Sequence, residues 1–174
     1  MAEIGCLKDG YFNNLEVENS VVMKKNNRNV FGLTSGPNNA SLTKYDCGLV
    51  FLNGTEVSAS ETLANNVNIS LPSAETGLHY KFILNASGTS SSASFVINTP
   101  DNASFVGSIN ASGMIKNASQ VGDGEKEIIF GKGSLSGDFV DINCYSDTNI
   151  KRWHTFGNTG ENPATATSGL YFNT

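Results

Sequence analysis

Apolar residues recur at every second position through much of the chain. The run from Asn66 to Asn85 shows this best. Val67, Ile69 and Leu71 share one face of a first segment, and Tyr80, Phe82 and Leu84 share one face of a second. A period of two sends successive side chains to opposite faces of an extended backbone, so each segment reads as a strand buried on one side. Pro72 lacks the N–H that a ladder needs and ends the first strand, while Gly77 eases the chain into the second. The same pattern predicts strands at 48–53, 66–71, 79–86, 94–98, 105–109, 127–130, 138–145 and 151–156, with a short closing segment at 170–172. Turn-forming residues separate them at Asn53-Gly54, Pro100-Asp-Asn102, Gly122-Asp-Gly124, Gly131-Lys-Gly133, Ser146-Asp-Thr-Asn149 and Gly157-Asn-Thr-Gly160. About eight short strands at this spacing predict an all-β domain, a single antiparallel β-sandwich that is jelly-roll-like. Its predicted core is Val67, Ile69, Leu71, Tyr80, Phe82, Leu84, Phe95, Ile97, Ile128, Phe130, Val140, Ile142 and Trp153. No sustained internal repeat and no heptad pattern is visible, so trimerisation through a coiled coil is not expected.

Residues 1–40 differ from the rest of the chain. They carry one apolar patch, Tyr11 to Met23, then the polar stretch Lys24 to Asn29, with no helix-capping signals. Leu15, Val17 and Val21 alternate like a strand that needs a partner to cover it. Two readings fit: an extended arm docking on a neighbouring subunit, or the first strand of the same domain. The organisation expected is an N-terminal arm, 1–40, followed by the sandwich, 41–174, with Leu15, Val17, Val21 and Val22 as the arm's contacts to another chain.

Length and composition narrow the class. The 174 residues suit one domain, and the low charge with abundant Gly, Ser, Thr and Asn suits strands joined by turns. A net charge of −5, without a basic patch, excludes a nucleic-acid grip. No stretch is apolar for long enough to make a membrane helix. Cys6, Cys47 and Cys144 are odd in number and lack metal-ligand spacing, and Met1 to Cys6 shows no signal-peptide pattern. Synthesis in a reducing cytosol with free, buried thiols is therefore expected. Asn-x-Ser/Thr sequons stand at Asn39, Asn53, Asn68, Asn85, Asn102, Asn110 and Asn117, and a composition so rich in Asn and Ser accounts for them without glycosylation.

Candidate chemistry is sparse. The two histidines are His79 and His154, and no nucleophile elbow, zinc-protease motif, phosphate loop or dinucleotide fingerprint accompanies them. Asp123, Glu125 and Glu127 lie in or beside a Gly-rich turn, but the alternation that loads a calcium loop is incomplete. Asp138 and Asp141 flank the start of a strand and are the pair that glycoside hydrolysis would need. Surface turn carboxylates explain both sets more simply. Trp153 with Tyr145 and Phe156 offers a sugar-stacking platform, although a single Trp in a late strand more often plugs the core. The sequence thus predicts no catalytic residue, no cofactor and no metal site. A turn-rich β domain with an apolar arm fits a structural or binding role.

The runs 41–53, 67–72, 77–83, 98–101, 106–109, 136–140 and 151–153, taken in order, resemble virion structural proteins of aquatic tailed bacteriophages and large DNA viruses. The run Ser41-Leu-Thr-Lys-Tyr-Asp-Cys-Gly-Leu-Val-Phe-Leu-Asn53 is followed by Val67-Asn-Ile-Ser-Leu-Pro72, Gly77-Leu-His-Tyr-Lys-Phe-Ile83, Asn98-Thr-Pro-Asp101 and Val106-Gly-Ser-Ile109. Ser136-Gly-Asp-Phe-Val140 and Lys151-Arg-Trp153 complete it, and Asn14-Leu-Glu-Val17 is similar to segments that open capsid-decoration and fibre proteins. Asp46-Cys47-Gly48 departs from the Asp-Ser-Gly of the pattern and leaves the turn intact. The resemblance spans about three quarters of the chain and lies in the order of the pieces. It implies a capsid-exterior decoration (cement) protein located on the virion, a homotrimer that contacts the major capsid protein. The alternative it implies is a fibre or spike head that binds a host surface glycan. It carries no catalytic residue across.

Overall fold

A computed structural model of the chain describes residues 26–32, 38–55, 66–85, 94–100, 102–111, 121–131, 133–160 and 169–173. Within them lie twelve strands and one short 3-10 turn, Lys44–Asp46. The strands are β1 (Asn26–Gly32), β2 (Asn38–Ser41), β3 (Gly48–Thr55), β4 (Val67–Ser70), β5 (His79–Leu84) and β6 (Phe95–Asn98). They continue with β7 (Ser104–Ala111), β8 (Val121–Glu125), β9 (Glu127–Phe130), β10 (Phe139–Ser146), β11 (Lys151–Thr159) and β12 (Leu170–Asn173). A seven-stranded sheet has the order β1-β3-β5-β10-β11-β7-β8, and a five-stranded sheet the order β12-β9-β6-β4-β2.

Burial follows the alternation read from the sequence. In β4, Val67 and Ile69 are buried while Asn68 and Ser70 are exposed. In β11, every second residue from Trp153 to Thr159 is buried. The inner faces of both sheets contribute to one apolar cluster, and each of the thirteen residues expected in the core belongs to it. Trp153, Tyr80 and Phe82 are among its largest side chains, and they pack together: the Tyr80 ring centroid lies 6.0 Å from Trp153 and 6.3 Å from Phe82. Val50, Leu52, Phe105, Ile109, Leu170 and Phe172 also belong to the core, beyond the expected set.

The all-β class holds, but the pairing is not antiparallel throughout. The pairs β1–β3, β3–β5, β2–β4, β4–β6 and β7–β11 are parallel, so both sheets are mixed. From β1 to β6 the chain passes alternately between the sheets, adding one parallel strand to each at every circuit. Parallel neighbours need a long crossover, and here the other sheet supplies it. The consequence is a ladder of like residues. Asn68 Nδ2 donates to Asn39 Oδ1 at 3.3 Å across β2–β4, and Asn85 Nδ2 donates to Asn53 Oδ1 at 2.8 Å between successive circuits of the larger sheet.

Several expected turns lie inside strands. Asn53-Gly54 belongs to β3, Gly122-Asp-Gly124 to β8, and Gly157 to Thr159 to β11. In each case backbone pairing with a neighbour outweighs the local turn preference. Of the expected arm, residues 26–32 and 38–40 are strand residues of the two sheets. Leu15, Val17, Val21 and Val22 lie outside the described residues.

Candidate outer-face binding surface

The outward side of β5, β10 and β11 gathers the polar and aromatic residues that the core excludes. Because neighbouring strands are in register, they form rows: His79–Asn143–His154, Lys81–Asp141–Phe156 and Ile83–Phe139–Asn158, with Tyr145–Arg152 beyond the first. Along β10 the strip from Phe139 to Tyr145 is about 20 Å long at ~3.4 Å per residue. Its aromatic end is built by Phe139 and Phe156, whose centroids are 6.3 Å apart at 53°. They are diagonal neighbours on one face, the distance at which large rings still touch across antiparallel strands. The ammonium of Lys81 sits 4.4 Å from the centre of the Phe139 ring, a cation–π contact that holds both.

The polar middle is organised around Asp141. His79 Nε2 lies 2.7 Å from Asp141 Oδ1, and Asn143 Nδ2 donates to the same oxygen at 3.3 Å. The pair is open to water, with 43 % of the His79 side chain and 29 % of the Asp141 side chain accessible. A histidine oriented by a carboxylate is two thirds of a catalytic triad, but its ladder neighbours here are Asn143 and then His154. Cys47 packs against the core instead. At the far end the Tyr145 hydroxyl donates to Asp147 Oδ2 at 3.3 Å. Asp147 also accepts the N–H groups of Asn149 and Ile150, which holds its carboxyl below the usual carboxylate range and closes the β10–β11 turn. Half of Phe156 and nearly half of Tyr145 face solvent.

Other candidates are placed elsewhere. Trp153 is fully buried, so it plugs the core and leaves the stacking platform to Tyr145 and Phe156 on the outer face. Asp138 is buried and structural. Its oxygens accept Leu135 N–H at 2.9 Å, Thr159 Oγ1–H at 2.8 Å and Gly160 N–H at 2.8 Å, which joins the start of β10 to the end of β11. The Asp138/Asp141 pairing is thereby split between a buried tie and the outer surface. Asp123 and Glu125 lie in β8, an extended edge strand where the sequence suggested a loop, and Glu127 starts β9 and accepts Asn173 Nδ2–H at 2.6 Å. Among the described residues no three His, Cys, Asp or Glu side chains cluster closely enough to hold a metal ion. Cys47 and Cys144 are free, and burial pushes the Cys144 thiol up to about 11; Cys6 lies outside the described residues.

Sequence reasoning missed Lys81, Phe139 and Asn143 as members of the surface. Their signal was present as the opposite phase of the alternation that marked the core. No family model, no curated protein and no solved structure matches the chain.

Proposed function

We propose that this chain is a virion structural protein, a capsid-exterior decoration (cement) protein that works as a homotrimer against the major capsid protein. The observation that supports it is the outer face of β5, β10 and β11, where Phe139, Phe156, Lys81 and Tyr145 form a strip built on rigid strands and open to a partner. Cement acts by covering area against the outward pressure of packaged DNA, and a sheet face backed by a continuous core is suited to that load. A standard interface buries ~1,600 Å², and repeated contacts around a trimer add through avidity. Three-fold symmetry matches local three-fold positions of a capsid lattice. The reading includes a two-layer sandwich of the two mixed sheets and no catalytic step. Counting copies on purified particles tests it: hundreds are expected, and a few tens would assign the chain to an appendage. Light scattering on the isolated protein should give three times 18.4 kDa; a monomer both free and on particles overturns the trimer.

One observation favours a second reading, a fibre or spike head that binds a host surface glycan. Tyr145 and Phe156 are half-exposed on one face, Asn143 and His154 form the row between them, and Asp141 and His79 stand beside these. Aromatic faces with planar hydrogen-bonding groups between them are what a sugar ring requires. A glycan array gives the discriminating result: a specific hit lost in Phe156→Ala selects this reading, and no hit leaves the cement reading.

A further inference from the structure

The aromatic end of the outer face continues into a hollow of about 280 Å³. It lies between the turn 135–138, which leads into β10, and the end of β11, and Leu135, Phe139 and Asn158 line it. Leu135 is half-exposed and reaches over Gly160, where an added Cβ would lie 3.4 Å from its Cδ1. Phe139 stands in register with the exposed Asn158. Two residues earlier on the same face of β11 is the half-exposed ring of Phe156.

The hollow is preformed. Ser136 Oγ donates to the Asn85 carbonyl at 3.0 Å, and Gly137 N–H donates to the Leu84 carbonyl at 2.8 Å. Asp138 accepts from Leu135 on one side and from Thr159 and Gly160 on the other, which ties the turn to the end of β11. A cavity already held in its bound shape loses little binding energy to ordering.

Its size and lining select the occupant. Pockets that engulf a whole small molecule measure ~300–1,000 Å³, so a hollow of this size takes one group of a larger ligand. That group must be apolar where it meets Leu135 and Phe139. It must hydrogen-bond where it meets Asn158, whose carboxamide carries both donors and an acceptor. An acetamido group has this composition, with a methyl at one end and an amide N–H and C=O beside it. A hydroxyl lacks the methyl, and a carboxylate lacks the donor. Phe156 precedes Asn158 by ~7 Å along β11, at ~3.4 Å per residue, so a pyranose stacked on Phe156 can extend a substituent into the hollow.

We propose that the hollow between Leu135, Phe139 and Asn158 is an acetamido subsite, so that the glycan taken by the outer face contains N-acetylhexosamine. The inference rests on the glycan-binding reading of that face and names the sugar class it selects.

Matched oligosaccharide pairs titrated against the full chain test it: oligomers of glucose against those of N-acetylglucosamine, and of galactose against those of N-acetylgalactosamine. Within a bound pair the acetylated member should be preferred by about tenfold or more, the effect of one buried methyl and one hydrogen bond. Asn158→Ala should cut that preference by about fivefold and leave the unacetylated member unchanged, whereas Phe156→Ala should weaken both members. Equal affinity within every bound pair overturns the acetamido subsite and leaves the glycan reading standing. Binding to none of the oligosaccharides overturns both. A preference that survives both Asn158→Ala and Leu135→Ser puts the acetamido group elsewhere and also overturns the subsite.

Discussion

Gly107 meets the backbone of Thr155 across the parallel β7–β11 pair so closely that a Cβ at position 107 would lie 1.9 Å from the Thr155 carbonyl oxygen. Its φ of +143° is also one that side chains with L chirality rarely adopt. Gly107→Ala must therefore displace backbone where β7 lies between β11 and β8 in the larger sheet. A loss of about 3 kcal/mol or more is expected, combining conformational strain with the clash. A fall in the urea midpoint with unchanged slope would show it, and a midpoint equal to wild type would contradict the close approach.

Phe82 is fully buried beside Tyr80, one ring in a cluster that includes Trp153. Phe82→Ala should cost ~3–5 kcal/mol through lost transfer energy and the cavity left behind. Thermal melting reports it directly.

Asp138 accepts three donors from two segments that are distant in sequence, and little of it reaches water. An asparagine in its place would keep the shape but replace an acceptor by a donor facing N–H and O–H groups. For Asp138→Asn a loss of about 1–3 kcal/mol is expected. Under the proposed function this variant changes stability alone, so a polysaccharide-hydrolase screen should read the same before and after it.

Alkaline pH should destabilise the protein. Burial raises the Cys144 thiol from its ordinary 9.0 to about 11, and burial, assisted by Cys47, raises the Tyr80 phenol above its ordinary 10.0. For both acids the folded state prefers the proton-bound form. The unfolded chain releases these protons first, so stability is fully present below pH ~9 and declines as pH rises above it. Tyr80 has a specific part in this, since its hydroxyl donates to the Thr43 carbonyl at 2.8 Å. Denaturant midpoints at pH ~7, ~9 and ~10.5 should fall in that order, and Cys144→Ala should flatten the decline.

Phe156 is half-exposed on the outer face and in contact with Phe139. Phe156→Ser should change stability by less than about 1 kcal/mol, because the ring is not in the core. Binding to particles should drop strongly in the same variant. Equal binding would move the contact surface away from β5, β10 and β11.

The parity of the strands was written in the sequence. Whether Tyr80 or Lys81 faces the core depends only on the alternation around it, since an extended backbone turns each side chain over relative to the last. That is why the residues expected in the core are buried, and why Trp153 plugs it. Pairing was not local in that way. Val67–Ser70 and His79–Leu84 are adjacent in the chain with a turn between them, yet they enter different sheets and find parallel partners a full circuit away. Asn39 and Asn68 meet over 29 positions and Asn53 and Asn85 over 32, so sequons that composition seemed to explain mark a coil whose circuits are unequal in length. Gly107 was one glycine among many until β7 lay against β11, and Asp138 and Asp141 looked like a pair until one turned inward. Alternation is fixed by backbone geometry over a few residues. Partner choice, strand direction and the joining of Phe139 to Phe156 were decided by which faces could share one core, a property that exists only once the two sheets close on each other.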